Sequence, residues 1–130
     1  MGVRFPGAGN ITLVNTVVVT TAETVVLTSS PLNLALDFEQ VLILWMLEFT
    51  MGTGGTLYQV RIRRGAALTS TLISTVLGEQ VTAANSYLRS GCYVDTPGAI
   101  AGQQYSITFA QLAATANASI ADGCIAVIAL

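Results

Sequence analysis

The sequence predicts an all-β fold, a sandwich of short antiparallel strands, on three observations. Val, Thr, Ile, Leu and Ala dominate the 130 residues, punctuated by Gly, Pro, Asn and Ser. Branched side chains pack well on a pleated sheet, and the punctuating types favour turns. Apolar residues alternate with period two in several places, and no long stretch carries a 3.6-residue apolar stripe.

The elements follow in order. Ile11–Thr20 reads as a first strand and Glu23–Thr28 as a second. After the turn pair Ser30-Pro31, Leu32, Leu34, Leu36 and Phe38 alternate with Asn33, Ala35 and Asp37. Val41–Thr50 is the strongest strand: Val41, Ile43, Trp45, Leu47 and Phe49 share one face, and Leu42, Leu44 and Met46 the other, turning polar at Glu48. In the next strand Tyr58, Val60 and Ile62 oppose Gln59, Arg61 and Arg63. Gly65–Ala67 reads as a turn, Thr69–Leu77 as a weaker strand, and Gly78-Glu79-Gln80 as a break. Val81–Tyr87 fits a strand or a short helical turn, and Gly91–Asp95 is extended. Thr96-Pro97-Gly98 is a turn signature. Tyr105, Ile107 and Phe109 point inward from Gln104–Leu112, with Ser106 and Thr108 outward. Ala113–Ile120 is small and polar, and Gly123–Leu130 closes the chain as an apolar strand.

Eight to ten short strands at these spacings suit a sandwich or barrel. An immunoglobulin-like domain fits less well. Cys92 and Cys124 lie near the C-terminus, and no Cys-Trp-Cys order exists. The prediction is a two-sheet jelly roll of about eight strands over residues 11–130, preceded by an N-terminal arm over residues 1–10.

Hydrophobic residues make up 52% and charged residues 9%, against roughly 25% charged in an ordinary globular domain. So few charges predict that part of the surface is covered by other subunits. Val41–Leu47 and the terminal strand, with Cys124, Ala126, Ile128 and Leu130 opposite Ile125, Val127 and Ala129, are apolar on both faces. A sandwich strand normally wets one face. A homo-oligomer is expected, a trimer in its commonest reading, with Leu42, Leu44, Met46, Ile128 and Leu130 at the contact.

The net charge of −2, with five arginines and no lysine, is a poor balance for nucleic acid or for a polybasic membrane anchor. The start MGVRFPGAGN lacks an apolar core of signal-peptide length, and the run VLILWML is far short of a membrane span. A soluble chain is expected, with neither nucleic acid nor membrane as partner. Without histidine, Ser-His and Cys-His catalysis are excluded. Asp37 and Glu39 would share a strand face, which reads as a wet rim rather than a glycosidase pair. No run of oxygen ligands suits calcium. The two cysteines are too few for zinc and read as reduced core thiols, with one disulfide between Cys92 and Cys124 as the alternative. No enzyme, metal or cofactor is expected.

The stretch GTGGTLYQVRIRRG, Gly52–Gly65, resembles a phosphate loop only superficially. It lacks the P-loop Lys, and Leu57 stands where a dinucleotide fingerprint needs Gly. Flanked by strands, it predicts a hairpin. Arg61 and Arg63 then either solvate an outer sheet face or pair with carboxylates, across a subunit contact or with Glu48 on the preceding strand.

Three segments carry a resemblance: TTAETVVLTSSPLNL at Thr20–Leu34, GTLYQVRIRRGAALTSTLI at Gly55–Ile73, and DTPGAIAGQQYSITFAQLAATANASI at Asp95–Ile120. Their order resembles small jelly-roll structural proteins of tailed bacteriophages, which decorate the capsid or form tail-associated trimers on a tumour-necrosis-factor-like fold. The resemblance implies a non-enzymatic virion protein, a homotrimer that decorates and stabilises a capsid, assembled in the host cytoplasm. Its implied partners are its own copies and a major capsid or other virion protein. The arm, with Arg4, Phe5 and Pro6, is then a capsid contact. The alternative is a tail-fibre or carbohydrate-binding module, with Trp45, Tyr58, Tyr87, Tyr93 and Tyr105 as stacking candidates.

Overall fold

The computed structural model describes residues 17–19, 22–51, 57–78, 85–112 and 118–130. Ten strands run in order: β1 (Val17–Val19), β2 (Thr24–Thr28), β3 (Leu32–Leu34), β4 (Val41–Met51), β5 (Tyr58–Arg64), β6 (Thr71–Leu77), β7 (Ser86–Asp95), β8 (Ile100–Gln103), β9 (Tyr105–Gln111) and β10 (Ala118–Ala129). No helix occurs among the described residues.

Two antiparallel four-stranded sheets form, in the orders β1-β10-β4-β7 and β2-β9-β5-β6, and β3 pairs with β8 apart from them. We call the first two sheets A and B. Chain neighbours take matching places in opposite layers: β1 with β2, β10 with β9, β4 with β5, and β7 with β6. This is the jelly-roll wrap, in agreement with the predicted class.

The wrap corrects the hairpin expected at Gly52–Gly65. β4 and β5 lie in different sheets, so the glycine-rich link is a crossover. Each strand turns one apolar face inward and buries it against the other across the core. Phe49 of β4 meets Tyr58 of β5 at 4.8 Å between ring centroids, edge to face, and Phe109 of β9 at 5.1 Å.

Alternation explains the core. Val41, Ile43, Trp45, Leu47, Phe49 and Met51 are all buried on β4, and Tyr105, Ile107 and Phe109 on β9. Gly91 lies opposite Trp45 in the β4–β7 ladder, and a Cβ there would come within 2.8 Å of the indole. Only glycine leaves that ring its place.

Four further boundaries differ from the sequence reading. β7 runs unbroken over Ser86–Asp95, joining part of Val81–Tyr87 to the extended Gly91–Asp95. β3 stops at Leu34 instead of running to Phe38, because Glu39 draws residues 35–39 into a turn. β8 went unread, being four residues long with one Gly. The terminal strand begins at Ala118 rather than Gly123. A register shift between Ile120 and Asp122 changes the inward set from Ala118 and Ile120 to Ile125, Val127 and Ala129. An inserted residue of this kind breaks the period on which the reading relies.

Candidate functional site

Arg61 and Arg63 of β5 face outward on sheet B, as alternation requires. Their acceptor is Glu23, just before β2, and not Glu48, which sits in the other sheet. Arg63 forks onto Glu23, Nε to Oε1 and Nη2 to Oε2, both at 2.8 Å, and Arg61 Nη1 reaches Oε2 at 2.7 Å. Thr108 of the intervening β9 donates its hydroxyl to Oε1 at 2.5 Å. The hydrogen bonds from Arg63 outweigh burial and, with Thr108 and both cationic charges, hold the Glu23 carboxyl at about 2. Ser106 and Thr108 are fully buried although they point outward. The single Glu23 carboxylate thus bridges both arginines and offsets one of their two charges, and the group ties β2 to β5 over β9.

A second group ties the two sheets together. Asp95 at the end of β7 accepts Arg64 Nε at 2.8 Å and Nη2 at 2.6 Å, and the Tyr105 hydroxyl at 2.9 Å. Burial pushes the Asp95 carboxyl up, but the Arg64 fork and the Tyr105 hydroxyl prevail and bring it below its ordinary value. Burial, then the adjacent carboxylate, pushes the Tyr105 hydroxyl well up. Among the described residues no three His, Cys, Asp or Glu side chains gather as a metal site would require.

The outer face of sheet A is different. Its register places Ile128, Leu42 and Val94 in one row, Ala126, Leu44 and Cys92 in the next, and Cys124, Met46 and Ser90 in a third. Asp122, Glu48 and Leu88 end the apolar part. Three adjacent rows therefore hold no charge, and Leu44 is 39% exposed. Leu42, Leu44, Met46 and Ile128 are brought together, and Leu130, 63% exposed, follows at the same end with its N–H on Gln40 O at 2.8 Å. Arg61 and Arg63 lie on the opposite layer, and Arg4, Phe5 and Pro6 lie outside the described residues.

The cysteines correct the expectation of core thiols. Both are free, Cys92 exposed and Cys124 half-buried, on this outer face. β4 separates them, and two strand spacings of ~4.8 Å exceed the ~7 Å that a disulfide can bridge. The aromatic candidates for sugar stacking sit inward. Trp45, Tyr58 and Tyr105 are buried, and Tyr87 and Tyr93 pack against the core. Asp37 and Glu39 lie in a solvated turn rather than on a shared strand face: Glu39 accepts its own turn's N–H groups, and Asp37 accepts the N–H of Ala99.

No family model and no curated protein matches the chain. Solved structures do. A chain of the T13 particle of infectious bursal disease virus aligns with TM-score 0.68 and 10% identity, over 98% of this chain and 32% of that one. A chain of the T=1 particle derived from the same virus gives 0.67 and 10%, over 95% and 32%. Its VP2 subviral particle gives 0.64 and 13%, over 94% and 32%. The chain spans about a third of the length of the capsid chains it matches. The likeness is one of fold: the wrap described above is shared with proteins that build virus shells.

Proposed function

We propose that this chain is a non-enzymatic structural subunit of a virus particle, working as a homotrimer that decorates and stabilises a bacteriophage capsid. One observation carries the reading: a small jelly roll whose outer sheet A presents three uncharged, largely apolar rows. Such a face is stable in water when another protein covers it. The shared fold of virus-shell proteins supports the setting, and the resemblance to phage decoration proteins supports the trimer and the capsid exterior. A subunit that binds only the assembled shell stabilises it by mass action, with no chemistry needed.

In solution the expected mass is that of three 13.5 kDa copies, about 40 kDa by light scattering. Leu44→Arg places an unpaired charge at the contact and is expected to reduce it to one copy without unfolding, since Leu44 is partly exposed. A wild-type protein of 13.5 kDa overturns the reading. Mass spectrometry of purified particles of the encoding virus is expected to find the chain in stoichiometric amount. Deleting residues 1–10 is expected to weaken attachment to shells while leaving thermal unfolding unchanged. Undiminished attachment removes the role assigned to Arg4, Phe5 and Pro6.

A further inference from the structure

β5 carries three arginines in its last four residues, and they use their guanidinium groups differently. Arg63 and Arg64 each turn the Nε/Nη2 edge onto a carboxylate of their own chain, Glu23 and Asp95. That edge carries two parallel N–H groups spaced for the two oxygens of a carboxylate. Arg61 offers Glu23 only Nη1, at 2.7 Å, and makes no other hydrogen bond or ion pair among the described residues. Its Nε/Nη2 edge therefore has no acceptor, and Nε is buried.

Glu23 is saturated. Oε1 takes Arg63 Nε and the Thr108 hydroxyl, and Oε2 takes Arg61 Nη1 and Arg63 Nη2, which fills the roughly four lone-pair positions of a carboxylate. One negative charge thus faces two positive ones. The other described carboxylates lie elsewhere: Glu48 and Asp122 in sheet A, Asp95 on Arg64, and Asp37 and Glu39 in the turn before β4. A second observation falls in the same place. The fully buried Ser106 hydroxyl and Arg61 Nε are the buried side-chain polar atoms that lack a partner among the described residues. Register puts Ser106 beside Arg63 and Thr108 beside Arg61, so the two atoms belong to neighbouring rows on the outer face of sheet B. Unpaired buried polar groups are rare in folded proteins and mark places where a bound ion, water or ligand completes the set. Here the excess positive charge selects an anion.

We propose that Arg61 anchors a carboxylate-binding site on the outer face of sheet B. The two oxygens of the ligand accept Nε–H and Nη2–H, repeating the fork that Arg63 makes with Glu23. Donors for its remaining lone pairs flank the edge: Ser106 in the neighbouring row, and the exposed Thr75, which is Arg61's partner in the β5–β6 ladder. Access is at Arg61 and not at Arg63, the side chains being 30% and 11% exposed. Nε itself is covered, so the guanidinium tilts to admit the anion while Nη1 stays on Glu23. An arginine side chain has the rotamer freedom for this. The site lies in the layer opposite the apolar face of sheet A and does not depend on what covers that face. A free small acid and an acidic side chain of another protein present the same group to it.

Nuclear magnetic resonance of the arginine Nε–Hε groups in the full chain tests the site. Sodium acetate, titrated against sodium chloride at fixed ionic strength, is expected to move one cross-peak saturably, the one that Arg61→Lys removes. The Arg63 and Arg64 peaks are expected to stay, since their edges are filled. Arg61→Lys keeps a cation for Glu23, and thermal unfolding checks that it folds. Ser106→Ala is expected to weaken acetate binding about fivefold, the loss of one hydrogen bond. Hexaglutamate moving the same peak at lower carboxylate concentration than acetate assigns the ligand to an acidic segment of a protein, and equal concentrations assign it to free acids. An Arg61 peak that stays still, or that chloride moves equally, overturns the site. So does an acetate response of the β5 backbone amides that is undiminished in Arg61→Lys.

Discussion

Replacing Glu23 with Gln is expected to destabilise the fold by about 3 kcal/mol at neutral pH. The carboxyl falls from an ordinary 4.5 to about 2 in the folded chain, and each unit corresponds to about 1.4 kcal/mol. The Glu23 side chain is 17% exposed, so little of this is lost to solvent screening. The substitution leaves Arg61 and Arg63 on one face with no counter-charge. A drop in melting temperature on the order of 10 °C is expected. Arg63→Ala is expected to cost more than Arg61→Ala, since Arg63 makes the two-pronged contact and Arg61 Nε is buried without a partner.

The pH dependence has a definite sign. The folded value lies below the unfolded one, so the contribution is complete above about 4.5 and is lost as pH falls through about 2. Unfolding by denaturant across this window should show the wild type losing stability toward acid, with the Glu23→Gln protein losing less. Parallel curves would show that the carboxylate is not held as its geometry indicates.

Asp95→Ala is expected to cost at least as much, about 3 kcal/mol, the low end for breaking a buried pair from one side, because the Arg64 side chain keeps 32% exposure while Asp95 and Tyr105 are buried. It strands the fully buried Tyr105 hydroxyl as well as the Arg64 guanidinium. Asp95 belongs to sheet A, and Arg64 and Tyr105 to sheet B, so the loss falls on the contact between layers. Tyr105→Phe removes one hydrogen bond and is expected to cost about 1 kcal/mol. Chemical denaturation measures both. An Asp95→Ala protein within about 1 kcal/mol of wild type would mean that the packed rings alone hold that end together.

Which strands form, and which side of each turns inward, was legible where alternation was unbroken. β4, β5 and β9 face as their period-two patterns require, because side-chain direction is a property of two successive residues. Legibility failed where one residue disturbed the period, at Ile120–Asp122, and where a polar turn interrupted an alternating run, at Leu36 and Phe38. In the latter case the Glu three residues beyond Leu36 was a readable signal, since a carboxylate there can close a turn onto its own backbone. Nothing comparable marked Glu23. It lies 38 residues from Arg61 and meets it across β9.

The sequence by itself determined the all-β class, the buried faces of the long strands, and an apolar second face on β4 and β10. Local chemistry suffices for these, through the alternation of side chains and the turn types between strands. Only the tertiary structure decided that β4 and β5 face each other instead of pairing, that Glu23 serves Arg61 and Arg63, and that β10, β4 and β7 merge their outer rows into one uncharged surface. These depend on strand order, which closes loops of tens of residues. The free energy of such closure is set by the packing of the whole sandwich, and no short stretch of the chain records it.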